Sequence, residues 1–431
     1  MEAARAWLQR LPVLPWIIVA ATLLGGCGLL FNDPLRGPAP SDQASAADIL
    51  AASTSAGGPS DLSGAPAEGS KVPQQPSDVP WHLEDYSRRL RLWVPPQAIA
   101  EDARNVPAGF SVNGDLLGVR DEGSSESGTA CPALAVMTRA GVRVPFEVEA
   151  CTSASAWLWV LLPHVPAQPA AGTELWLYLD SQSDALARGF EPEAVWDEYE
   201  GVWHLAEGAA EATGRHPNGV DHGTEFSEAC VAGPCVSLNR DTSAGRFAHI
   251  DTGVLTHLPT WTASAWVKAL HEPENRWEPT GPLMYEHNLQ LVWDHVTENM
   301  ATASFSRTNA PPSPDAPDAE ITDGHTDWII TPLEPNHYLA AARWHHLSAS
   351  YDGTALKAYV NGEFVSAIPV RGIAQASPYT AKIGQWAQPD GVKGALRGEV
   401  DEVRMRPGAF SSDRMRLEYL SARGRLVVPT R

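Results

Sequence analysis

Short apolar runs, each ended by turn-forming residues, are the feature that most restricts how this chain can fold. Between residues 142 and 179 there are three such runs, Val144–Glu149, Ala156–Leu162 and Glu174–Leu179, separated by clusters of Ser, Pro and Gly. Runs of this length between turn signals are typical of strands in a β-sandwich. The 35 Gly and 36 Pro residues also favour turns and strands over helix bundles. The sequence therefore predicts an all-β fold.

The second half of the chain contains an alternating strand and two hairpin turns. In Trp261–Lys268, Trp266 is expected on the face opposite to Ala265 and Val267, because side chains alternate along a strand. Downstream, Asp352-Gly353 and Asn361-Gly362 follow apolar runs, and both pairs tolerate the positive φ that tight hairpins require. These patterns predict a second β-rich domain.

The first segment resembles a bacterial family known as domain of unknown function 2341. The resemblance covers about residues 81–205 and is carried by Pro145–Glu149, Trp159–Val160, Leu177–Leu179, Val195–Asp197 and Gly201–Leu205. That family has no known activity, so the resemblance implies a β-sandwich and no function.

The second segment is similar to the laminin G-like domains of the concanavalin A-like jelly rolls. The similarity covers about residues 202–419 and is carried by Trp261–Lys268, Trp344–Gly353, Leu356–Glu363, Lys382–Gly384 and Gly398–Met405. Together the two resemblances imply two β-sandwich domains, at residues 81–200 and 201–425. The second is expected to be a concanavalin A-like jelly roll. Lectins, adhesins and hydrolases share this fold, so it constrains structure more than function.

The N-terminus has the layout of an export signal. Arg5 and Arg10 precede an apolar, proline-broken run, and residues 24–27 read Leu-Gly-Gly-Cys, which resembles the bacterial lipobox. We therefore expect a lipoprotein signal peptide at residues 1–26 and lipidation of Cys27; the alternative is an uncleaved anchor with an incidental cysteine. Gly28 stands where a retention signal would place Asp, so the expected location is the outer membrane or cell surface. No later segment is apolar for 18 residues, which leaves the lipid as the only expected membrane anchor.

Residues 27–80 are dominated by Ala, Ser, Gly, Pro and Asp and are expected to be a disordered tether. The whole chain has 31 Lys and Arg against 52 Asp and Glu, a formal charge of −21. Because phosphate contacts need a concentrated basic face, nucleic acid is excluded as an expected partner.

Four cysteines remain after Cys27. An even number in an exported chain indicates disulfides, and proximity pairs Cys131 with Cys151 and Cys230 with Cys235. Zinc binding is the alternative for the second pair, although no further Cys or His pair at matched spacing accompanies it.

The jelly-roll resemblance implies a sugar site with a calcium ion held by loop carboxylates, so calcium is the one cofactor that the family suggests. The primary candidates are Asp241, Asp251 and Asp401. The further candidates are Asp294 and four residues of a Pro- and Asp-rich insertion between residues 306 and 337, namely Asp315, Asp318, Asp323 and Asp327. None forms a calcium loop of recognised spacing, and a solvated acidic rim is the alternative.

Tryptophans are the candidate sugar platform, because their flat apolar faces match the C–H face of a pyranose. Trp277, Trp328 and Trp386 lie in loop-like sequence and are the candidate platform residues. Trp203, Trp266 and Trp344 lie in strand motifs instead and are expected in the sandwich core.

The sequence contains no recognised catalytic motif. His345 and His346 are adjacent on a predicted strand and point to opposite faces, which disfavours a shared metal ion. Glu399 and Asp401 alternate like the first two catalytic positions of family 16 glycoside hydrolases, but the third alternate position is Val403, and Glu402 is expected on the opposite face. We therefore expect no enzymatic activity.

Together these features predict a cell-envelope lipoprotein that acts as a surface binding module. The expected partner is a glycan or another envelope or extracellular protein. The alternative is a structural or adhesive surface protein with no small ligand, and a glycoside hydrolase is less favoured.

Overall fold

The computed structural model describes fifteen stretches of the chain. They are residues 79–117, 133–152, 154–181, 191–228, 230–238, 240–241, 246–270, 280–285, 289–294, 300–304, 307–308, 339–369, 373–374, 379–388 and 391–430. The predicted signal peptide, most of the predicted tether and Cys27 lie outside them. All described residues belong to one compact unit, Ser70–Arg431. Among them, no helix is long and apolar enough to cross a membrane.

The first sandwich begins with six antiparallel strands. They are β1 Tyr86–Val94, β2 Val106–Asn113, β3 Ala135–Thr138, β4 Phe146–Cys151, β5 Ser155–Leu162 and β6 Thr173–Ser181. One sheet contains β1, β6 and β3, and the facing sheet has the order β2-β5-β4. Side chains from both sheets, such as Leu92, Phe110, Leu158 and Leu177, are almost fully buried between them. The three apolar runs at residues 144–179 thus correspond to β4, β5 and β6.

Two single helical turns flank parts of this domain, and a longer helix comes late in the chain. They are α1 Gly114–Leu117, α2 Pro192–Val195 and α3 Ser412–Ala422. Helix α3 starts after Ser411, whose side chain accepts a hydrogen bond from the Arg414 N–H and so caps a free backbone donor. Leu417 of this helix lies in the core of the first sandwich.

The jelly roll has a larger and a smaller sheet. The strands of the larger sheet are β7 Gly201–Trp203, β9 Glu225–Ser227, β10 Cys235–Leu238, β14 Trp261–Ala269, β19 His345–Tyr351, β20 Ala355–Val360, β21 Glu363–Pro369 and β26 Gly398–Pro407. The smaller sheet contains β8 Val220–Asp221, β13 Ile250–Asp251, β15 Thr280–Tyr285, β16 Leu289–Asp294, β17 Met300–Ser304 and β23 Lys382–Ile383. Three ribbons complete it: β11 Arg240–Asp241 with β12 Arg246–Phe247, β18 Arg307–Thr308 with β22 Ile373–Ala374, and β24 Gln385–Gln388 with β25 Gly391–Ala395.

The order of the larger sheet places β26 at the centre, next to β14. The order is β21-β20-β19-β14-β26-β10-β9, and β7 also pairs with β26. The smaller sheet has the order β17-β16-β15-β23-β13-β8. Apolar side chains from both sheets form one core, which contains Trp203, Trp261, Leu291, Ile383 and Val400. This confirms the all-β fold with a concanavalin A-like jelly roll as its C-terminal domain.

Local patterns in the jelly roll are confirmed. Ala263, Ala265 and Val267 face the core, and Trp266 lies on the other face of β14. The β20–β21 hairpin turns at Asn361 (φ 53°) and Gly362 (φ 77°), the positive angles that this two-residue turn needs. At the start of the Pro- and Asp-rich insertion, Arg307–Thr308 pairs with Ile373–Ala374. Residues 309–338 lie outside the described parts of the chain.

The last strand, β27 Val428–Thr430, belongs to the first sandwich and not to the jelly roll. It pairs antiparallel with β1, with Arg91 opposite Thr430. Leu426 and Val427, just before it, are buried in the core of the first sandwich. The chain therefore enters the jelly roll after the sixth strand and returns to complete the first domain. A single boundary at residue 200 therefore does not separate the two domains, because residues 426–430 belong to the first sandwich.

Strand β26 contains a β-bulge at the position that determines the candidate site. Trp266 of β14 pairs with Asp401, whereas Ser264 pairs with Arg404, so β26 has one additional residue. Glu402 takes up the irregularity with φ of 53°. The prediction that Glu402 faces away from Asp401 is therefore wrong. The inserted residue shifts the alternation, so that Val400 and Val403 face the core while Asp401, Glu402 and Arg404 all face outward.

Candidate functional site

The predicted tryptophan platform is largely outside the described structure. Trp277 and Trp328 lie outside the described residues. Trp386 was predicted in a loop, but it lies in strand β24, because Gln385–Gln388 pairs with Gly391–Ala395. Of the tryptophans assigned to the core, Trp203 is in the jelly-roll core, whereas Trp266 and Trp344 pack on the outer face of the larger sheet.

The predicted calcium ligands have separate partners. Asp251 lies on the smaller sheet and forms a 2.5 Å ion pair with Lys382, which lowers the pKa of its carboxyl despite partial burial. Asp401 lies on the larger sheet, fully buried, and accepts hydrogen bonds from the backbone N–H groups of Val231 (2.9 Å) and Ala232 (3.0 Å). Asp241 lies in β11, and nothing is described of its side chain. Asp251 and Asp401 therefore lie on different sheets and have different partners.

The loop held by Asp401 is closed by the predicted disulfide between Cys230 and Cys235. Cys151 is also disulfide-bonded. Its predicted partner Cys131 lies outside the described residues, so that pairing stays a prediction.

His345 and His346 occupy opposite faces of β19. The His345 Nε2 lies 3.2 Å from the Ala340 carbonyl, and the His346 ring packs on Trp266 and Tyr419 with centroid distances of 5.2 Å and 6.0 Å. Burial lowers the pKa of His346 to about 3, although the carboxylates of Glu418 and Glu402 oppose this, and Arg404 adds to it. His346 is thus a neutral packing residue.

We expect the His346→Phe variant to lose less unfolding free energy than the wild type when the pH is lowered below about 6.5. The folded pKa lies below the unfolded value of 6.5, so the unfolded chain binds the additional proton and stability falls as pH drops from about 6.5 towards 3. The loss at pH 4 is on the order of 3 kcal/mol, at about 1.4 kcal/mol per pH unit. Urea unfolding of both proteins at pH 7 and pH 4 measures it. Parallel losses in the two proteins would show that this ring is not responsible.

Buried ionisable residues form a cluster that the sequence did not predict. This interface cluster lies between the two sandwiches and consists of Glu147 and Glu149 from β4, His204 after β7, Asp401, Glu402 and Arg404 from β26, and Glu418 from α3. All seven are buried. Together they contain five carboxyl groups, one guanidinium and one imidazole, in a region covered by aromatic side chains.

His204 is at the centre of the cluster. Its Nδ1 lies 2.7 Å from Glu402 Oε1 and 3.7 Å from Glu149 Oε2, and its Nε2 lies 3.2 Å from Glu147 Oε2. The ring stacks on Trp159 at 5.5 Å. Burial favours a neutral ring, but the charges of Glu402 and Glu147 outweigh it and hold the pKa of His204 well above its usual range.

Arg404 connects the bulged strand to the last helix. Its Nη2 donates to Glu402 Oε2 at 2.6 Å and its Nη1 to Glu418 Oε2 at 2.7 Å. The guanidinium also lies over the rings of Trp159 (4.6 Å) and Trp196 (4.8 Å). Burial of Glu402 and Glu418 would raise the pKa of each carboxyl. The charges of His204 and Arg404 nevertheless keep the pKa of Glu402 low, and Arg404 does the same for Glu418.

Two carboxyl groups of the cluster behave differently. Burial, reinforced by the charge of Glu402, raises the pKa of both Glu149 and Asp401 well above the usual range. Among the described residues, Glu149 Oε1 and Asp401 Oδ1 have no hydrogen-bond partner, although both atoms are buried. The cluster thus has more acceptors than donors.

Glu399, Asp401 and Glu402, which resemble the catalytic strand of family 16 glycoside hydrolases, all form hydrogen bonds or ion pairs within the protein. Glu399 accepts from Lys268 Nζ at 2.7 Å and from Ser227 Oγ at 2.9 Å. Asp401 and Glu402 are almost fully inaccessible beneath the first sandwich. The outer face of β26 is therefore an interdomain interface, and a polysaccharide has no access to it in this structure.

A sequence signal for the cluster did exist. Glu147 and Glu149 interrupt a run that is otherwise apolar, and a charged residue inside a buried strand requires a partner. The charged partner of both glutamates, His204, is distant in the chain, which is why the sequence did not identify it.

The jelly roll has recognisable relatives. Residues 242–415 match the family described as the concanavalin A-like lectin/glucanases superfamily. No curated protein matches the chain.

Solved structures similar to the chain include three extracellular or toxin domains. Domain 4 of AbnA, a GH43 extracellular arabinanase from Geobacillus stearothermophilus, in complex with arabinotriose, is 18% identical, with a TM-score of 0.35, over 51% of this chain and 97% of that one. The binding domain of Paraclostridial Mosquitocidal Protein 1 is 12% identical, with a TM-score of 0.37, over 52% of each chain. The binding domain of botulinum neurotoxin DC, in complex with rat synaptotagmin II, is 9% identical, with a TM-score of 0.38, over 54% of this chain and 52% of that one. The chain thus spans about half of each toxin domain's chain.

Proposed function

We propose that this chain is a cell-envelope lipoprotein whose jelly roll is a surface binding module for a glycan or for another envelope or extracellular protein. The observation that carries the proposal is that the acidic residues of strand β26 already have partners or are buried. Its acidic residues are paired or buried against the first sandwich, with Glu399 held by Lys268 and Asp401 by the loop at residues 230–235. The most enzyme-like sequence in the chain thus joins two domains, which favours binding over hydrolysis.

The remaining surface of the jelly roll is where a ligand would bind. The match to the lectin and glucanase superfamily supports a saccharide as the ligand class. Trp386 is the candidate platform residue for which the structure describes a backbone position, in a two-stranded ribbon formed by β24 and β25. The fold alone does not select the ligand, because one fold hosts many functions.

A glycan array probed with the exported chain, once with calcium and once with a chelator, tests this function. We expect binding to a restricted set of glycans that is weakened by Trp386→Ala and retained by Trp81→Ala, since Trp81 is an exposed tryptophan of the first sandwich. Loss of binding in chelator would assign calcium to the site. Absence of glycan binding, together with retention of the protein on whole envelopes, would favour the structural or adhesive alternative instead.

The proposed anchor is tested separately. We expect a fatty-acid probe to label the wild-type protein in cells and to leave Cys27→Ser unlabelled, because the lipobox cysteine is the residue that would be acylated. Cys230→Ser is the matched control and should keep the label. Equal labelling of wild type and Cys27→Ser would remove the basis for a lipid anchor.

A further inference from the structure

The position of the His204 ring requires a positive centre beside its Nδ1 atom. Glu147 Oε2 lies 3.2 Å from Nε2, and the same oxygen accepts from the Trp196 indole N–H at 2.6 Å. This fixes the ring so that Nε2 carries a proton towards Glu147 and Nδ1 faces Glu402 Oε1 and Glu149 Oε2. Two carboxylate oxygens facing an imidazole nitrogen repel it unless a proton or a cation lies between them.

A proton satisfies only part of this arrangement. An N–H at Nδ1 has one direction, and the 2.7 Å contact directs it to Glu402. Glu149 then has only the Trp159 indole N–H, at 2.6 Å from Oε2, and its Oε1 has no partner among the described residues. The side chain of Glu149 is 1% exposed, so water does not solvate it. A proton on Glu149 would keep this buried carboxyl neutral, but it would leave the group without a partner at Oε1, and a divalent ion can replace that proton and bind the carboxylate.

The donor atoms have the spacing of a metal site. One ligand atom each from Glu149, His204 and Glu402 lies within 4.8 Å of the other two. Zinc–nitrogen and zinc–oxygen bonds of about 2.0 to 2.2 Å place ligand atoms roughly 3.3 Å apart in a tetrahedron, so modest side-chain shifts suffice. The hydrogen bond from Nε2 to a carboxylate is the usual outer support of a metal-bound histidine.

We propose that Glu149, His204 and Glu402 bind one divalent transition-metal ion of the zinc type, which joins the two sandwiches. One nitrogen and two carboxylates are a borderline donor set, whereas calcium takes six to eight oxygens. Glu149 Oε1, unpaired and buried, can complete the coordination through the same carboxylate. Because Glu149 lies on β4 and Glu402 on β26, the ion cross-links the first domain to the jelly roll.

The test uses the whole exported chain with Zn²⁺ and Co²⁺ as probes. We expect one high-affinity Zn²⁺ per chain, release of protons on binding from His204 and Glu149, and a visible absorption band of bound Co²⁺. Glu149→Gln keeps the shape of the side chain and can still accept from Trp159. It and His204→Gln should weaken Zn²⁺ binding by more than about 100-fold, and Glu147→Gln by about 10- to 100-fold.

The matched control is a surface histidine. His222 and His249 stack at 4.3 Å outside the interface cluster, so His222→Gln should leave the high-affinity binding unchanged. Loss of binding in His222→Gln, or equal binding in wild type and both Glu149→Gln and His204→Gln, would overturn the proposal. So would a wild-type chain that binds neither ion, which would assign the position to an imidazolium proton. That last result needs no variant and therefore stands even where a substitution prevents folding.

Discussion

Arg404→Met is expected to destabilise the protein by about 3–5 kcal/mol, the usual cost of removing one partner from a buried ion pair. Arg404 is 2% exposed, and its guanidinium neutralises both Glu402 and Glu418. Methionine is of similar length and keeps an apolar contact with the tryptophan rings. The loss therefore reports Glu418 without its ion-pair partner and Glu402 with His204 as its remaining one. Urea unfolding at neutral pH, followed by tryptophan fluorescence, measures the change.

The neighbouring outward position on β26 supplies the control. Arg406 forms a longer ion pair with Glu198, at 3.7 Å, and both partners are more exposed. Arg406→Met should therefore cost about 1 kcal/mol or less, as is usual for exposed pairs. Equal destabilisation by Arg404→Met and Arg406→Met would mean that the interface cluster contributes nothing special to stability.

Leu426→Ala is expected to cost about 2–5 kcal/mol, the range for deleting a fully buried leucine side chain. Leu426 is completely buried in the core of the first sandwich, although it follows the whole jelly roll in sequence. Because it belongs to that core, the variant should expose residues 86–181 to protease before it exposes the jelly roll. Chemical unfolding gives the size of the effect and limited proteolysis its location.

Leu255 is the matched leucine, with 56% of its surface exposed. Leu255→Ala should change stability by no more than about 0.5 kcal/mol. If Leu426→Ala were equally harmless, or if the jelly roll were cleaved first, the C-terminal residues would not complete the first domain as the structure indicates.

The interface cluster explains why the two sandwiches form one compact unit. Glu147 and Glu149 come from the first sandwich, whereas His204, Arg404 and the bulged strand with Glu402 come from the jelly roll. Glu402 occupies a left-handed backbone conformation, which costs a non-glycine residue about 1–2 kcal/mol. Its contacts with His204 and Arg404 offset this cost and keep three polar side chains on one face.

The sequence by itself determined the features that depend on neighbouring residues. The alternation along residues 261–268 predicted which side chains share a face of β14, although the face that carries Trp266 was wrongly expected in the sandwich core. Asn361-Gly362 predicted a hairpin, because turn angles are set within a few residues. The Cys230–Cys235 disulfide was found for the same reason, since its partners are five residues apart. The order and spacing of the jelly-roll motifs predicted the fold of the second domain.

Only the tertiary structure decided the features that depend on distant pairs. The bulge at Glu402 overturned the predicted orientation of that side chain, because a local alternation rule fails once a single residue is inserted in the strand. The return of residues 426–430 to the first sandwich and the meeting of Glu149 with His204 and Glu402 had no local pattern to announce them. Burial of a charge requires a partner, but sequence does not state which distant residue supplies it, because that choice is made by the packing of two complete domains.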